Sequence, residues 1–425
     1  MYDWANSAFA TTVIAGFFPI FFKEYWSAGL PVTESTFLLS LAVSTAGLLV
    51  ALCAPLLGAI ADQGNARKRF LLLSTGIGVF ASGGLFLVEQ GSWQAAWLLY
   101  ALGTIGFLTA QIFYDSLLVS VASAKDLDRV SSQGYALGYL GGGLLFLFNV
   151  IAVLQPDLFG FSDASAAVRF SFLSVALWWA VFSIPLIRNV KEPHPAPTLG
   201  VAASVRQGAK TLLATLARIR MYRSVVLFLV AYWFYIDGVD TVVAMAVDYG
   251  LSIGFERNEL ITALLLVQFV GVPFALLMGF LGQRWGTRRT ILLCIGVYLA
   301  VTVLGARLDL EPYSFFGLEI RKFYFLAILV ATAQGGIQAL SRAFYARIIP
   351  QETAAEFFGF YNMLGKFAAI VGPLLVGVVG RLTGDPRMGI QSLALLFIIG
   401  GALLLAVRTP ANGAARAPSP AQADI

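Results

Sequence analysis

Long apolar runs recur from one end of the chain to the other, and they limit its fold more than any other feature. Twelve are expected, at residues 2–22, 36–61, 70–88, 94–122, 131–154, 166–187, 224–248, 259–282, 290–305, 322–346, 357–380 and 388–407. About 20 apolar residues at 1.5 Å each cover the hydrocarbon core of a bilayer. Inside lipid each backbone N–H and C=O must be satisfied within the protein, so single runs of this length are helices. Composition agrees: 59% of the 425 residues are hydrophobic, 12% are charged, and the mean hydropathy is +0.81. An average soluble chain carries about 25% charged residues. The sequence predicts an all-α, multi-pass integral membrane protein with twelve transmembrane helices.

Charge orients the spans. Of the 28 basic residues, 18 fall on one set of alternate connections and the tail, and 8 on the other set. Arg342 and Lys366 fall inside spans. Excess Lys and Arg mark the cytoplasmic side, so both termini are expected in the cytoplasm. The first span starts at residue 2 and lacks a basic n-region and a small-residue cleavage site, so it reads as a retained helix. Asp3 at a helix start would ordinarily follow a short basic or capping segment, and a natural start upstream is expected. The net charge of +5 is small, and nothing in it suggests nucleic acid. Cys53 and Cys294 lie in apolar spans and read as packing residues. The single histidine, His194, sits between Pro193 and Pro195. A metal site or a Ser-His triad has almost no material here, and no cofactor is expected.

The chain repeats itself. Residues 58–72 and 279–293 align at an offset of 221, matching Gly58 with Gly279, Arg67 with Arg288 and Lys68 with Arg289. Each copy joins the second and third spans of its half. Two pseudo-symmetric six-helix halves follow, 1–187 and 224–407. Residues 188–223 between them open with a Pro-rich spacer. Val201, Val205, Ala209, Leu212, Leu216 and Ile219 then recur at helical spacing, which predicts an amphipathic helix on the inner lipid surface. The tail, 408–425, has too little apolar mass to fold.

Residues 232–241 place Asp237 and Asp240 inside the seventh span, with Asp237 near its middle. A charge at that depth costs roughly 2.5–3.5 kcal/mol on insertion scales. Three residues apart, both acids project from nearly the same helix face. Such residues face either a partner that locks helices together or a watery pathway.

Twelve spans, two halves, a long central connection and the loop from Gly58 to Asp62 resemble the major facilitator superfamily. The first loop copy keeps Gly58, Asp62 and Arg67. The second has Gln283 in place of the acid but keeps Arg284, Gly286 and Arg288. Longer stretches carry a closer likeness: residues 2–9, 134–143, Asp237-Gly238, 334–342, and 356–361 followed by Lys366 and Gly372-Pro373. These resemble the vacuolar-effluxer branch, the autophagy-related amino-acid exporters and their bacterial relatives. The resemblance implies the major facilitator fold and an amino-acid-like solute. Asp115 stands where that branch usually has Asn, and Asp240 where it usually has Gln, so cargo or coupling ion could differ.

In that superfamily spans 1, 4, 7 and 10 line a central cavity, and here the same spans carry most of the intramembrane polar groups. The expected solute and ion pathway comprises Asn6, Tyr114, Asp115, Tyr235, Asp237, Asp240, Gln334, Gln338 and Lys366. Lys366 serves either as a partner for Asp240 or as an anchor for a cargo carboxylate. Asp3, Asp62, Arg67, Arg288 and Arg342 are expected as gate and latch, with Arg342 bridging to an acid of the other half. Gly134, Gly138 and Gly142, four apart, are expected to form a sliding seam.

These features point to a secondary transporter of a small polar solute, with a proton or sodium as coupling ion, lipid around it, and a monomeric state. No Gly-x-x-x-x-Gly-Lys-[Ser/Thr] loop is present to bind ATP. Two other readings remain open. One is a non-transporting scaffold or receptor on a transporter fold. The other is an intramembrane transferase using Tyr114-Asp115 or Asp237 and Asp240, which would lack a histidine base. An enzyme is not expected.

Overall fold

The computed structural model describes residues 1–30, 32–63, 66–191, 201–217, 222–315 and 318–407. His194, Arg218, Arg220 and the tail lie outside them. Each expected span falls on a helix. The N-terminal half comprises α1 (Tyr2–Trp26), α2 (Val32–Gln63), α3 (Arg67–Leu85), α4 (Trp93–Val121), α5 (Leu127–Leu154) and α6 (Ala164–Asn189). A connecting helix α7 (Val201–Ala217) leads to α8 (Arg223–Ser252), α9 (Arg257–Trp285) and α10 (Thr287–Gly305). A short antiparallel hairpin follows, β1 (Pro312–Phe315) with β2 (Leu318–Arg321), in the register Pro312 to Arg321. The chain ends in α11 (Lys322–Ile348), α12 (Ala354–Thr383), α13 (Pro386–Ser392) and α14 (Ala394–Ala406). Among the described residues ten helices are long and apolar enough to cross a membrane. The hairpin fills the connection between α10 and α11.

Local chemistry sets the helix ends. Glu256 and Glu259 form a reciprocal capping box at the start of α9. Asp163 caps α6 by accepting from Ala166 N at 2.8 Å, and that bond holds its carboxyl below the usual range. Gly286, at φ +93°, breaks the chain between α9 and α10 in a conformation that side-chain-bearing residues rarely adopt. Two stretches of α1, Phe9–Phe17 and Phe22–Trp26, wind as π-helix. Such turns are rare and recur at functional sites.

Of the two largest apolar clusters, one lies in the first half and the other mainly in the second, with Leu118 and Leu127 of the first half joining it. Trp26, Trp179, Phe18 and Phe172 anchor the first, and Tyr235, Phe228, Tyr298 and Phe397 the second. The halves meet along α2 with α12 and along α5 with α9 and α11. The connecting helix α7 straddles them. Gly208 sits against Ile60 of α2, and Leu212 packs on the second cluster.

Gly134, Gly138 and Gly142 let α5 approach α1 of the same half, against Asp3, Ser7 and Thr11. Gly143 meets the other half, against Gln268. The stripe gives the close helix contact expected of it, between α5 and α1, and Gly134 also faces Arg342 of the other half. A Cβ at Gly134 would collide with the Asp3 carboxylate. Gly134→Val is expected to cost about 1–3 kcal/mol through overpacking. Thermal melting of the purified protein should show it, whereas Gly76→Val, where a Cβ meets nothing within 4 Å, should melt like wild type.

Candidate functional site

A polar cavity of about 360 Å³ lies between the halves. It is lined by α1 (Asn6, Ser7, Thr11), α4 (Gln111, Asp115), α8 (Tyr232, Asp240) and α11 (Gln334, Gln338). Tyr135 and Tyr139 of α5, Gln268 of α9, and Tyr361 and Asn362 of α12 complete the wall. Asn6 donates to Gln111 Oε1 at 2.8 Å, and Asn362 donates to Asp115 Oδ2 at 3.3 Å. The Gln334 side-chain oxygen is buried with no hydrogen-bond partner among the described residues. Amides, hydroxyls and carboxylates together suit a solute carrying both donors and acceptors.

Not every expected pathway residue reaches this cavity. Asp237 is 1% exposed, and its Oδ1 accepts from Gly372 N of α12 at 2.9 Å and from Thr241 Oγ1 at 3.4 Å. It lies in the α8–α12 contact, while Asp240 lines the cavity. Three residues on a helix are separated by about 60° of rotation, enough to divide the two acids between neighbouring faces. Tyr235 is buried in the second apolar cluster and shares a hydrogen bond with Ser341 Oγ at 2.7 Å. Tyr114 borders a separate recess beneath the cavity, with Tyr2 and Arg342. The Lys366 side chain lies outside the described residues, as does any contact it makes with Asp240.

Conversely, Gln268, Tyr232, Tyr361 and Asn362 were not foreseen. A lone amide within the apolar run of α9 was the available signal for Gln268. Tyr361 of α12 falls in the family-like stretch 356–361, and Asn362 lies just beyond it.

The floor of the cavity is an ion cluster joining the halves. Arg342 of α11 is 3% exposed. Its Nη1 donates to Asp115 Oδ1 at 3.1 Å, and its Nη2 lies 3.7 Å from Asp3 Oδ2. Nε donates to Ser131 Oγ at 2.9 Å, and Nη2 to Ser131 O at 3.1 Å. The guanidinium also lies 4.7 Å from the Tyr135 ring centroid and 5.4 Å from that of Tyr114. Tyr114 in turn donates to Asp3 Oδ2. All five donors of an Arg fork are available to such an arrangement, which a Lys cannot reproduce.

Two further contacts close the side that carries the basic connections. Asp62 pairs with Arg67 Nε at 2.6 Å and accepts from the N–H groups of Ala355 and Glu356 at 3.2 and 2.8 Å. These are first-turn donors of α12 that have no partner inside their own helix. Arg67 also donates to Gln351 O and Glu352 O. On the other seam, Arg347 pairs with Asp128 at 3.2 Å, and Thr287 donates to the same oxygen at 2.8 Å. Gly58 packs on Ala355 and Glu356 at the start of α12, and Gly279 packs on Ser132 near the start of α5. The two halves thus use matching surfaces.

The register of the basic pair departs from expectation. Arg288 donates to Val407 O at 2.7 Å, within its own half. The residue that plays this part in the first half is Lys68, which donates to Ile187 O and Val190 O. Arg288 therefore matches Lys68, an offset of 220, because Gly286 ends its loop one residue earlier. Arg288 anchors the end of α14 and does not latch the halves.

Comparison with known proteins decides the family. The family model described as "Vacuole effluxer Atg22 like" matches residues 28–127 and 119–414. The chain belongs to that family. It is 38% identical over 414 residues to the uncharacterized MFS-type transporter YxiO of Bacillus subtilis, covering 95% of this chain and 92% of YxiO. It is 26% identical over 303 residues to autophagy-related protein 22 of Yarrowia lipolytica, covering 66% of this chain. The chain spans about half the length of that fungal relative, 50%. Among solved structures, the proton:xylose symporter XylE gives a TM-score of 0.71 at 13% identity, over 95% of this chain and 92% of XylE. The human organic anion transporter MFSD10 gives 0.67 at 16%, over 95% and 97%. At such identities these two establish the fold alone. This member of the Atg22-like family is an integral, multi-pass membrane transporter of the major facilitator type.

Proposed function

We propose that this Atg22-like chain is a secondary active transporter that moves a small polar, amino-acid-like solute by alternating access. The observation that carries this is the polar cavity between two halves, floored by Arg342 with acids contributed from the opposite half. In this reading residues 1–187 and 224–407 rock about the cavity, linked through 188–223 and followed by the tail 408–425. The basic face is cytoplasmic and carries both termini, the membrane is a bacterial inner membrane, and the protein works as a monomer without enzymatic chemistry.

Each group has a role. Asn6, Gln111, Gln334 and Gln338 hold the solute. Asp3, Asp115 and Arg342 form the inner gate, and Asp62 with Arg67 the latch. Asp240 is the cavity acid that binds the coupling cation, proton or sodium. Reconstituted protein should carry at least one member of a panel of amino acids, peptides and sugars into liposomes. Absence of flux across the panel, together with solute binding, would favour a receptor.

The latch gives a separate prediction. Asp62→Asn removes the charge that holds Arg67 and weakens two hydrogen bonds to the start of α12. Exchange at equal concentrations is expected to fall several-fold while folding is kept, since charge-assisted bonds contribute about 1.5–3 kcal/mol. Counterflow assays on Asp62→Asn and Arg67→Gln check this, and unaltered exchange would remove the latch role.

A further inference from the structure

Glu356 is a charged residue for which neither the cavity nor the latch has a use. It stands in the first turn of α12, 0% exposed, and neither side-chain oxygen has a hydrogen-bond partner among the described residues. Its backbone N–H donates to Asp62 Oδ2 at 2.8 Å. Gly58 of α2 presses against its Cα, and the Thr215 side chain of α7 lies beside its carboxyl group. It is therefore enclosed by α2 of one half, α12 of the other, and the connecting helix.

The charged and titratable groups around Glu356 do not neutralise it. From α2 comes Asp62, whose charge opposes a second carboxylate and is matched by Arg67. From α11 comes Tyr345, whose hydroxyl donates to Phe357 O at 2.8 Å. Tyr222 meets Phe357 through its ring. Arg206 and Lys210 of α7 and Arg223 of α8 are exposed. A carboxylate enclosed without a cation is costly, and a proton removes that cost.

We propose that Glu356 is a proton-binding site that makes closure of the basic face depend on the pH of the compartment that face meets. When the face is open, water reaches the side chain and it ionises. When α2, α7 and α12 close over it, it takes up a proton from that same side. Because uptake and release both occur toward one compartment, the proton is a sensor of that compartment and does no coupling work. The sign follows from linkage: the closed form binds one more proton, so acid favours closure and alkali favours opening. One proton changes the open-to-closed ratio by at most about tenfold per pH unit.

This inference rests on the alternating-access reading but needs no solute for its test. Spin labels at Arg69→Cys and Arg289→Cys, both exposed and in opposite halves, report the opening of the basic face in a Cys53→Ser background. In wild type the longer-distance population is expected to grow severalfold from acid to alkaline pH. Glu356→Gln should hold the short distance across the same range, Glu356→Asp should retain a response, and Asp237→Asn should respond like wild type. A wild-type-like response in Glu356→Gln overturns the proposal. A single distance at every pH overturns it as well, and with it alternating access. Two populations that ignore pH overturn the sensor alone. Should Glu356→Gln fail to fold, infrared difference spectra of wild type decide, with the carbonyl stretch of a buried protonated glutamic acid expected in acid and its absence contradicting the proposal.

Discussion

Arg342→Gln is expected to abolish flux while the protein still inserts and purifies. The substitution leaves Asp3 and Asp115, both almost wholly buried, at the cavity floor with Tyr114 and Asn362 as their neutral donors. Removing one partner of a buried ion pair costs about 3–5 kcal/mol, largely as the penalty on the charge left behind. That cost falls on the state in which the floor is assembled. If the open state hydrates both acids, the closed state loses a factor of roughly 10²–10⁴ in population. Arg342→Lys should recover only part, because an ammonium can meet one acid but cannot also reach Ser131 and lie across the rings of Tyr114 and Tyr135. Proteoliposome flux normalised to inserted protein reads this directly. Normal transport by Arg342→Gln would remove the gate assignment, and loss of insertion would make Arg342 a structural residue.

Asp240→Asn is expected to remove accumulation driven by an ion gradient, by more than about tenfold, and to spare exchange at equal concentrations. The argument is geometric. Asp240 lines the cavity, where a cation can reach it with solute present, and intramembrane acids are the usual carriers of coupled protons. Asp237→Asn should behave oppositely. Its Oδ1 accepts the Gly372 N–H beside Pro373, and an amide oxygen can accept the same bond. Coupling should therefore survive in Asp237→Asn with a change within about twofold. Gradient-driven and exchange assays on both variants separate the two acids. If Asp237→Asn uncouples and Asp240→Asn does not, the assignment is reversed.

The sequence made the helices legible because lipid leaves the backbone one solution, and a run of about 20 apolar residues announces it. It also made Arg342 stand out with Asp3 and Asp115, since each is a charge near the same end of a span. Azimuth was harder to read. Asp237 and Asp240 differ by one small rotation about α8, and the position of Gly372 of α12 against Asp237 tells which acid faces the cavity. Tyr235 was lost for the same reason, being turned toward Ser341 in the core of its own half. The glycines of α5 showed that another helix approaches closely without showing which one. The repeat was visible in Gly58 and Gly279, yet the one-residue shift at Gly286 misassigned Arg288. The π-helical turns of α1 and the hairpin at 312–321 left no periodic signal in the sequence.

One measurement bears on alternating access most directly. Gln338→Cys, at the cavity wall in a Cys53→Ser background, can be exposed to a membrane-impermeant thiol reagent in right-side-out and in inverted vesicles. The account predicts reaction from both faces, with Arg342→Gln raising the rate from the basic face and lowering it from the other. Reaction from one face only, in both the parent and the Arg342→Gln background, would contradict it.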